Sequence, residues 1–253
     1  MPATQQNEIA VIVYAPGLVN DDSRPLTLVR GMERAFPGLR LGWTVSDEGQ
    51  CIPLSNRDAW VAQERLDGGF AILCNGDEGA WVSVTGWESP VGSSPGGKAQ
   101  LEVHGVLPLD AVGIAAVGAV LESVGEGARA FWGHATPFSA GVDIARQTKS
   151  QAVKPRPPPR GLPALKPPED LHSPEIPHRL GWLNYWSAAA ARAIGFPDSK
   201  RDAELLSRAR RTATGGWLVR LTDVPLDLDN PDHLDALLRA YSRFPEVGGR
   251  SAP

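Results

Sequence analysis

The 253-residue chain is 42% hydrophobic and 21% charged, the balance of a globular protein long enough to bury a sizeable core. Its formal net charge of −4 argues against general nucleic-acid binding, which calls for a basic field. Two cysteines, Cys51 and Cys74, with no CxxC and no neighbouring histidine, argue against a disulfide framework or a cysteine-rich zinc site and suit a reducing cytosol. The N-terminal stretch "MPATQQNEIAVIVYAPG" lacks the basic start and long apolar core of a signal peptide. Residues 8–15, "EIAVIVYA", are β-branched and compact and predict a strand that ends at Pro16-Gly17. Residues 23–36 open with Ser23 as N-cap and space Leu28, Met32 and Phe36 four apart, which predicts a helix. Residues 39–46 alternate as a strand, and residues 55–69 read as a capped helix stopping at Gly68-Gly69.

Three strands follow at 70–76, 80–87 and 99–108, the last two paired across the polar loop "ESPVGSSPGGK". Residues 109–125 predict a helix and 128–137 another strand. The apolar run in that helix is broken by three glycines and by Glu122, well short of the ~20 residues of a membrane span. An order of strand, strand, helix, strand points to an α+β fold in which mixed or antiparallel sheets pack with helices, not to a doubly wound parallel sheet. Residues 154–177 hold nine prolines in 24 residues. Missing N–H donors and fixed φ make that segment extended, a tether carried over the surface. Residues 180–196, "LGWLNYWSAAAARAIGF", place Trp182, Trp186, Ala189 or Ala190 and Ala193 on one helical stripe, a core element. Residues 215–223 read as a strand and 230–244 as the helix after it, docked by Leu234, Leu237, Leu238 and Tyr241. The expected organisation is a sandwich-like α+β region at 1–150, a proline-rich linker at 151–178, and an α-rich region with one strand at 179–253.

Motifs that suggest chemistry fail on context. "GEGARA" at 125–130 matches a dinucleotide fingerprint but follows a helix and precedes a strand, the reverse of what pyrophosphate binding needs. "GSSPG" at 92–96 matches a nucleophile elbow, yet Ser94 precedes proline in a polar loop. In "DLDNPD" at 227–232, Pro231 occupies a ligand position of a calcium loop and Asp232 its obligatory glycine. Helix initiation explains it better: Asn230 caps, Pro231 takes the first helical position and Asp232 faces the positive end of the dipole. The five histidines are scattered, though His104 and His134 lie in predicted strands that a sheet could bring together. No catalytic residue, cofactor or metal ligand set is assigned, and the chain reads as a non-enzyme.

The segments "LGWLNYWS" (180–187) and "GGWLVRLTDVPLDLDNPDHLDALLRAYSRFPEVGGR" (215–250) resemble the C-terminal signature of bacterial polymorphic-toxin immunity proteins. The immunity protein 52 and type VI immunity groups and related myxobacterial proteins of unknown function are the closest in pattern. The resemblance covers about the last 75 residues and carries no catalytic residue. It implies a cytoplasmic protein that binds a cognate toxin and neutralises it without turnover; charge and hydropathy add the expectation of no nucleic-acid or membrane partner. Expected contact residues are the aromatics Trp182, Tyr185 and Trp186 and the carboxylates Asp77, Glu78, Glu88, Asp227 and Asp229, which could mimic the charge of a toxin's substrate. An enzyme with a noncontiguous site and a scaffolding module using the proline-rich segment stay open as alternatives.

Overall fold

The computed structural model describes residues 7–19, 22–63, 68–148 and 157–250. In chain order these form β1 (Glu8–Pro16), α1 (Arg24–Ala35), β2 (Trp43–Val45), β3 (Cys51–Pro53), α2 (Arg57–Gln63), β4 (Gly69–Cys74), β5 (Ser83–Ser89) and β6 (Gln100–Pro108). Then follow α3 (Ala111–Gly127), β7 (Trp132–Pro137), α4 (Phe138–Ala145), β8 (Leu183–Trp186), α5 (Ala188–Ala193), α6 (Ala203–Ser207), β9 (Ala209–Arg211), β10 (Trp217–Arg220) and α7 (Pro231–Arg243). The fold is α+β. Its ten strands join one sheet in the order β3-β2-β4-β5-β6-β1-β7-β8-β10-β9, with every neighbouring pair antiparallel. No helix of the described residues is long and apolar enough to cross a membrane.

Alternation in the central strands explains the layering. Ile9, Val11 and Val13 of β1 and Leu101, Val103 and Leu107 of β6 are buried on one face, and α1 and α3 pack there. Glycine lets the layers approach: a Cβ on Gly127 would stand 2.9 Å from Leu28 Cα, and one on Gly125 would stand 3.0 Å from the Tyr185 ring. Helix α3 packs against α1 on one side and the sheet on another, and its exposed positions are mostly alanine, so it is apolar on nearly every side. At its start, Asp110 accepts from the Gly113 N–H at 2.8 Å and caps it.

The aromatic segment departs from the expected single helix. Leu183–Trp186 is strand β8, hydrogen-bonded to β7 and β10, and only Ala188–Ala193, five alanines and Arg192, is helical. Ser187, whose side chain accepts from the Ala190 N–H at 3.1 Å, marks the change. The region after residue 179 contributes three strands, not one, and they extend the same sheet as the strands before residue 150. The proline-rich segment, of which 154–156 lie outside the described residues, holds two short 3₁₀ turns at Pro159–Gly161 and Pro168–Asp170. It is packed as well as extended: Leu162, Leu165 and Leu171 are buried, and the Leu165 N–H donates to the Gln147 carbonyl. Helix α7 begins as expected, with Asn230 accepting from the Asp232 N–H and Pro231 in the first turn. Its buried face, however, runs through Leu237, Ala240 and Tyr241, with Leu234 and Leu238 half-buried at the edge. In the helix expected at 55–69, residues 64–67 lie outside the described residues.

Candidate functional site

Residues directly opposite one another in antiparallel strands point to the same side of a sheet, so the register assembles rows. On the face away from α1 and α3, one row runs Trp87, Glu102, Tyr14, Trp132, Trp186 and Trp217 across six strands. The row beside it runs Thr85, His104, Ile12, His134, Asn184 and Val219. Both change character midway. Towards β8 and β10 the chain covers them: Trp186 meets Phe196 and Phe244 edge to face at 5.1 and 5.3 Å, and Phe196 meets Trp217 at 5.2 Å. Gly181 lies against the second row so closely that a Cβ there would fall 2.2 Å from Thr136 Oγ1 and 2.9 Å from His134 Cβ.

Towards β5 and β6 the rows are open. Trp87 is 42% exposed and lies tilted over the His104 ring, with centroids 4.2 Å apart. His104 Nε2 lies 2.6 Å from Glu102 Oε1, and the Tyr14 hydroxyl donates to the same oxygen at 3.2 Å. Tyr14 stacks in turn on Trp132 at 4.2 Å, so the exposed end of the row is braced by its buried end. The open end thus combines a large aromatic surface, a half-buried carboxylate and an imidazole on rigid strands. That is a surface suited to recognition.

Burial sets the ionisation of the covered half. His134 is held down to about 3, by burial first and then by the Arg179 charge. His178 is lowered to about 4 for the same two reasons in the same order. Both are neutral at physiological pH. His178 Nε2–H donates to the Lys166 carbonyl at 2.9 Å, which leaves Nδ1 to accept from Arg179 at 3.3 Å. Burial pushes the Tyr14 hydroxyl above its ordinary range, and Tyr241 up to about 12. These groups are displaced away from neutral pH, which makes them inert as bases or nucleophiles.

The expected contact residues do not converge. Trp182, Tyr185 and Trp186 are 1%, 2% and 0% exposed, so the expectation of an exposed aromatic surface at these rings is corrected. Trp182 donates its indole N–H to the Thr222 carbonyl at 2.9 Å, and Tyr185 lies beneath α3. Asp77 and Glu78 are exposed in the loop before β5, where Asp77 Oδ1 accepts from the Gly79 and Ala80 N–H groups and shapes the turn. Glu88 sits at the opposite end of β5 with its carboxylate on the Leu18 N–H. Asp227 accepts from the Asp229 N–H, and Asp229 pairs with Arg160 at 2.8 Å, both ahead of α7. Ser94 is buried in the β5–β6 loop, donating weakly to the Ser89 and Pro90 carbonyls at 3.4 Å. The thiols of Cys51 and Cys74 are 4.0 Å apart, but β2 runs between their strands. Two strand spacings, roughly 9–10 Å, exceed the ~7 Å within which two Cα atoms can be bridged by a disulfide. Burial raises the Cys74 thiol to about 11, so it is protonated.

A signal present in the sequence is the i, i+2 pair Glu102 and His104, in a strand expected to pair with the one that ends at Trp87. Two cavities lie elsewhere. One of about 380 Å³ is bordered by Phe36, Arg40, Asp77, Asp110 and Val112, and one of about 290 Å³ by Arg208, Arg210, Arg220 and Asp223. Among the described residues no group of three or more His, Cys, Asp or Glu side chains is placed to hold a metal ion.

A family model described as Domain of unknown function (DUF5953) matches residues 20–252. The chain belongs to that family. No curated protein matches the chain at a significant level. Among solved structures, the family's fold as seen in this chain is similar to that of the Pseudomonas aeruginosa T6SS protein PA0821, with a TM-score of 0.53 and 12% identity. That match covers 94% of this chain and 74% of the other. At such identity the likeness is one of fold.

Proposed function

We propose that the protein is an immunity protein of a type VI-associated toxin system, which neutralises a cognate toxin in the cytoplasm by stoichiometric binding without turnover. The observation that carries the reading is the fold likeness to a T6SS protein along 94% of the chain. The immunity-like pattern of residues 180–187 and 215–250 supports it independently. The open end of the aromatic row, with Trp87 exposed over His104 and Glu102, is the docking surface we assign. An inhibitory complex of this kind should bury about 1,200–2,000 Å² around a few aromatic anchors. Coexpression with the toxin encoded beside its gene tests the idea: protection should follow the molar ratio of the two proteins, and Trp87→Ala should weaken it. A toxin that kills regardless of this protein's level sinks the proposal.

The His104–Glu102–Tyr14 cluster favours one second reading, an enzyme that modifies its target. It predicts that His104→Ala abolishes protection while toxin binding persists, and that wild-type protein protects well below equimolar amounts.

A further inference from the structure

We propose that the cavity of about 290 Å³ beside β9 and β10 binds a phosphate group, held by Arg208, Arg210 and Arg220. This site is separate from the docking surface assigned above and does not depend on it. Register brings the arginines together on one side of the sheet. Arg210 stands opposite Leu218 and Arg220 opposite Leu183. The Arg208 carbonyl accepts from the Arg220 N–H at 3.2 Å, which makes those two neighbours across the ladder. The side they share is that of α3: a Cβ on Gly118 would lie 3.4 Å from Leu218 and 3.5 Å from Leu183, and Arg210 reaches Glu122 of α3. The cavity therefore has the two leucines as an apolar floor and the three arginines on its wall.

Like charges set side by side on a sheet repel unless something offsets them. Glu204 pairs with Arg208 at 2.5 Å and Glu122 with Arg210, but neither carboxylate lines the cavity. Arg220 is half-buried, and among the described residues its guanidinium has no carboxylate partner and no hydrogen-bond acceptor; it lies 5.8 Å from the Trp182 ring centroid. The wall holds one carboxylate, Asp223, which is exposed and forms no ion pair among the described residues. Three guanidiniums against one carboxylate leave this wall positive, although the whole chain carries a net charge of −4. Its complement is an anion. A phosphate monoester or free phosphate carries close to two charges and several acceptor oxygens, enough to engage Arg220 and a neighbouring arginine at once. A carboxylate fills one guanidinium fork and leaves the rest unmatched. The volume approaches the ~300 Å³ lower end of small-molecule sites, so an organic body has room beside the phosphate on the Leu183 and Leu218 floor.

The full chain, labelled with ¹⁵N, tests this without any toxin. At pH 8, against sodium chloride of equal ionic strength, inorganic phosphate and phenyl phosphate should each shift the amide signals of β9 and β10 saturably. Tighter binding of phenyl phosphate assigns an ester whose body lies on the leucines, and equal affinity assigns the free ion. Arg220→Gln should weaken binding about tenfold or more, as expected for losing a charge-assisted hydrogen bond. Arg220→Lys should fall between, since it keeps the charge and loses the fork. Asp223→Asn should tighten binding by removing a repulsion. Arg211→Gln is the control: it removes the same charge from the last residue of β9, whose side chain turns to the other face over the Trp217 ring at 5.6 Å, and should leave affinity unchanged. The site does not exist if neither phosphate gives a saturable shift, or if folded Arg220→Gln and Arg220→Lys proteins bind like wild type. Benzoate binding as tightly as phenyl phosphate overturns the phosphate assignment, and an Arg211→Gln loss equal to that of Arg220→Gln reduces the effect to general attraction by a basic strand.

Discussion

Acid should destabilise this protein well before its carboxylates titrate, because two histidines are folded away neutral. His134 and His178 are lowered to about 3 and about 4, by burial and then by Arg179. In the unfolded chain both return to the ordinary value near 6.5. Above that value the histidines are neutral in both states and make no difference to stability. As pH falls below it, the unfolded chain takes up two protons that the folded protein refuses, so the unfolding free energy falls with pH. At pH 5 the gap is about 1.5 pH units for each histidine, or about 2 kcal/mol each and about 4 kcal/mol together. This figure depends only on the folded values lying well below 5, not on how far below. Against a typical total of about 5–15 kcal/mol it is a large fraction. Asp22, lowered to about 2, contributes its own loss only below pH 4, outside the window. Urea unfolding followed by tryptophan fluorescence at pH 7.5, 6.5, 5.5 and 5.0 measures the effect. Replacing His178 by Asn or His134 by Gln should each remove about half of the decline between pH 6.5 and 5. The reasoning fails if the wild-type protein loses less than about 1 kcal/mol over that range. It fails equally if the double variant declines as steeply as wild type.

Other consequences are as direct. Leu237, 0% exposed on α7, should cost about 2–5 kcal/mol when cut to Ala, whereas half-buried Leu238 should cost clearly less; equal losses in urea would displace the buried face assigned to this helix. Gly181→Ala should destabilise by about 1–3 kcal/mol, since its Cβ would stand 2.2 Å from Thr136 Oγ1, and an unchanged melting midpoint would contradict the close crossing of β7. Arg243→Ala should cost about 3–5 kcal/mol, because it strands the Asp202 carboxylate, which is 0% exposed and paired at 2.5 Å; recovery in an Asp202→Asn, Arg243→Ala double variant would confirm that the uncompensated charge is the cause.

The central layers were legible in the sequence because β1, β4, β5, β6 and β7 are apolar runs bounded by turn residues, and α3 between β6 and β7 opens on the Asp110 cap, although Ser23 makes no side-chain cap at α1. The aromatic segment was misread for a definable reason. Trp182 and Trp186 are four apart, and four residues return to the same side in a helix and in a strand alike. What separates the two readings is position 184. On a helix Asn184 would have faced away from the tryptophans; in the sheet it shares their face and is wholly buried. It is tolerated there because its side chain accepts from the Gly181 N–H at 2.9 Å and donates to the Gly181 carbonyl at 3.0 Å. A buried amide that closes its own turn looks, in sequence, like any polar residue on an exposed face. Helix α4 and the short strands β3 and β9 escaped notice for a simpler reason: three to eight residues give too little periodicity to read.

The candidate site was hidden by distance along the chain, not by weak local signal. Glu102 and His104 could be placed on one face of a predicted strand, and the β5–β6 pairing brought Trp87 opposite Glu102. Tyr14, which shares the Glu102 oxygen, lies 88 residues away, and its place depends on a register that no local pattern specifies. Trp132 and Trp186 enter the same row from still further along. The row answers what the concentration of tryptophan is for. Its buried end anchors the C-terminal strands to the sheet, and through Trp132 and Tyr14 it holds Glu102 and Trp87 in place at the open end. The contacts that orient the open end of the row are thus the same ones that hold the core.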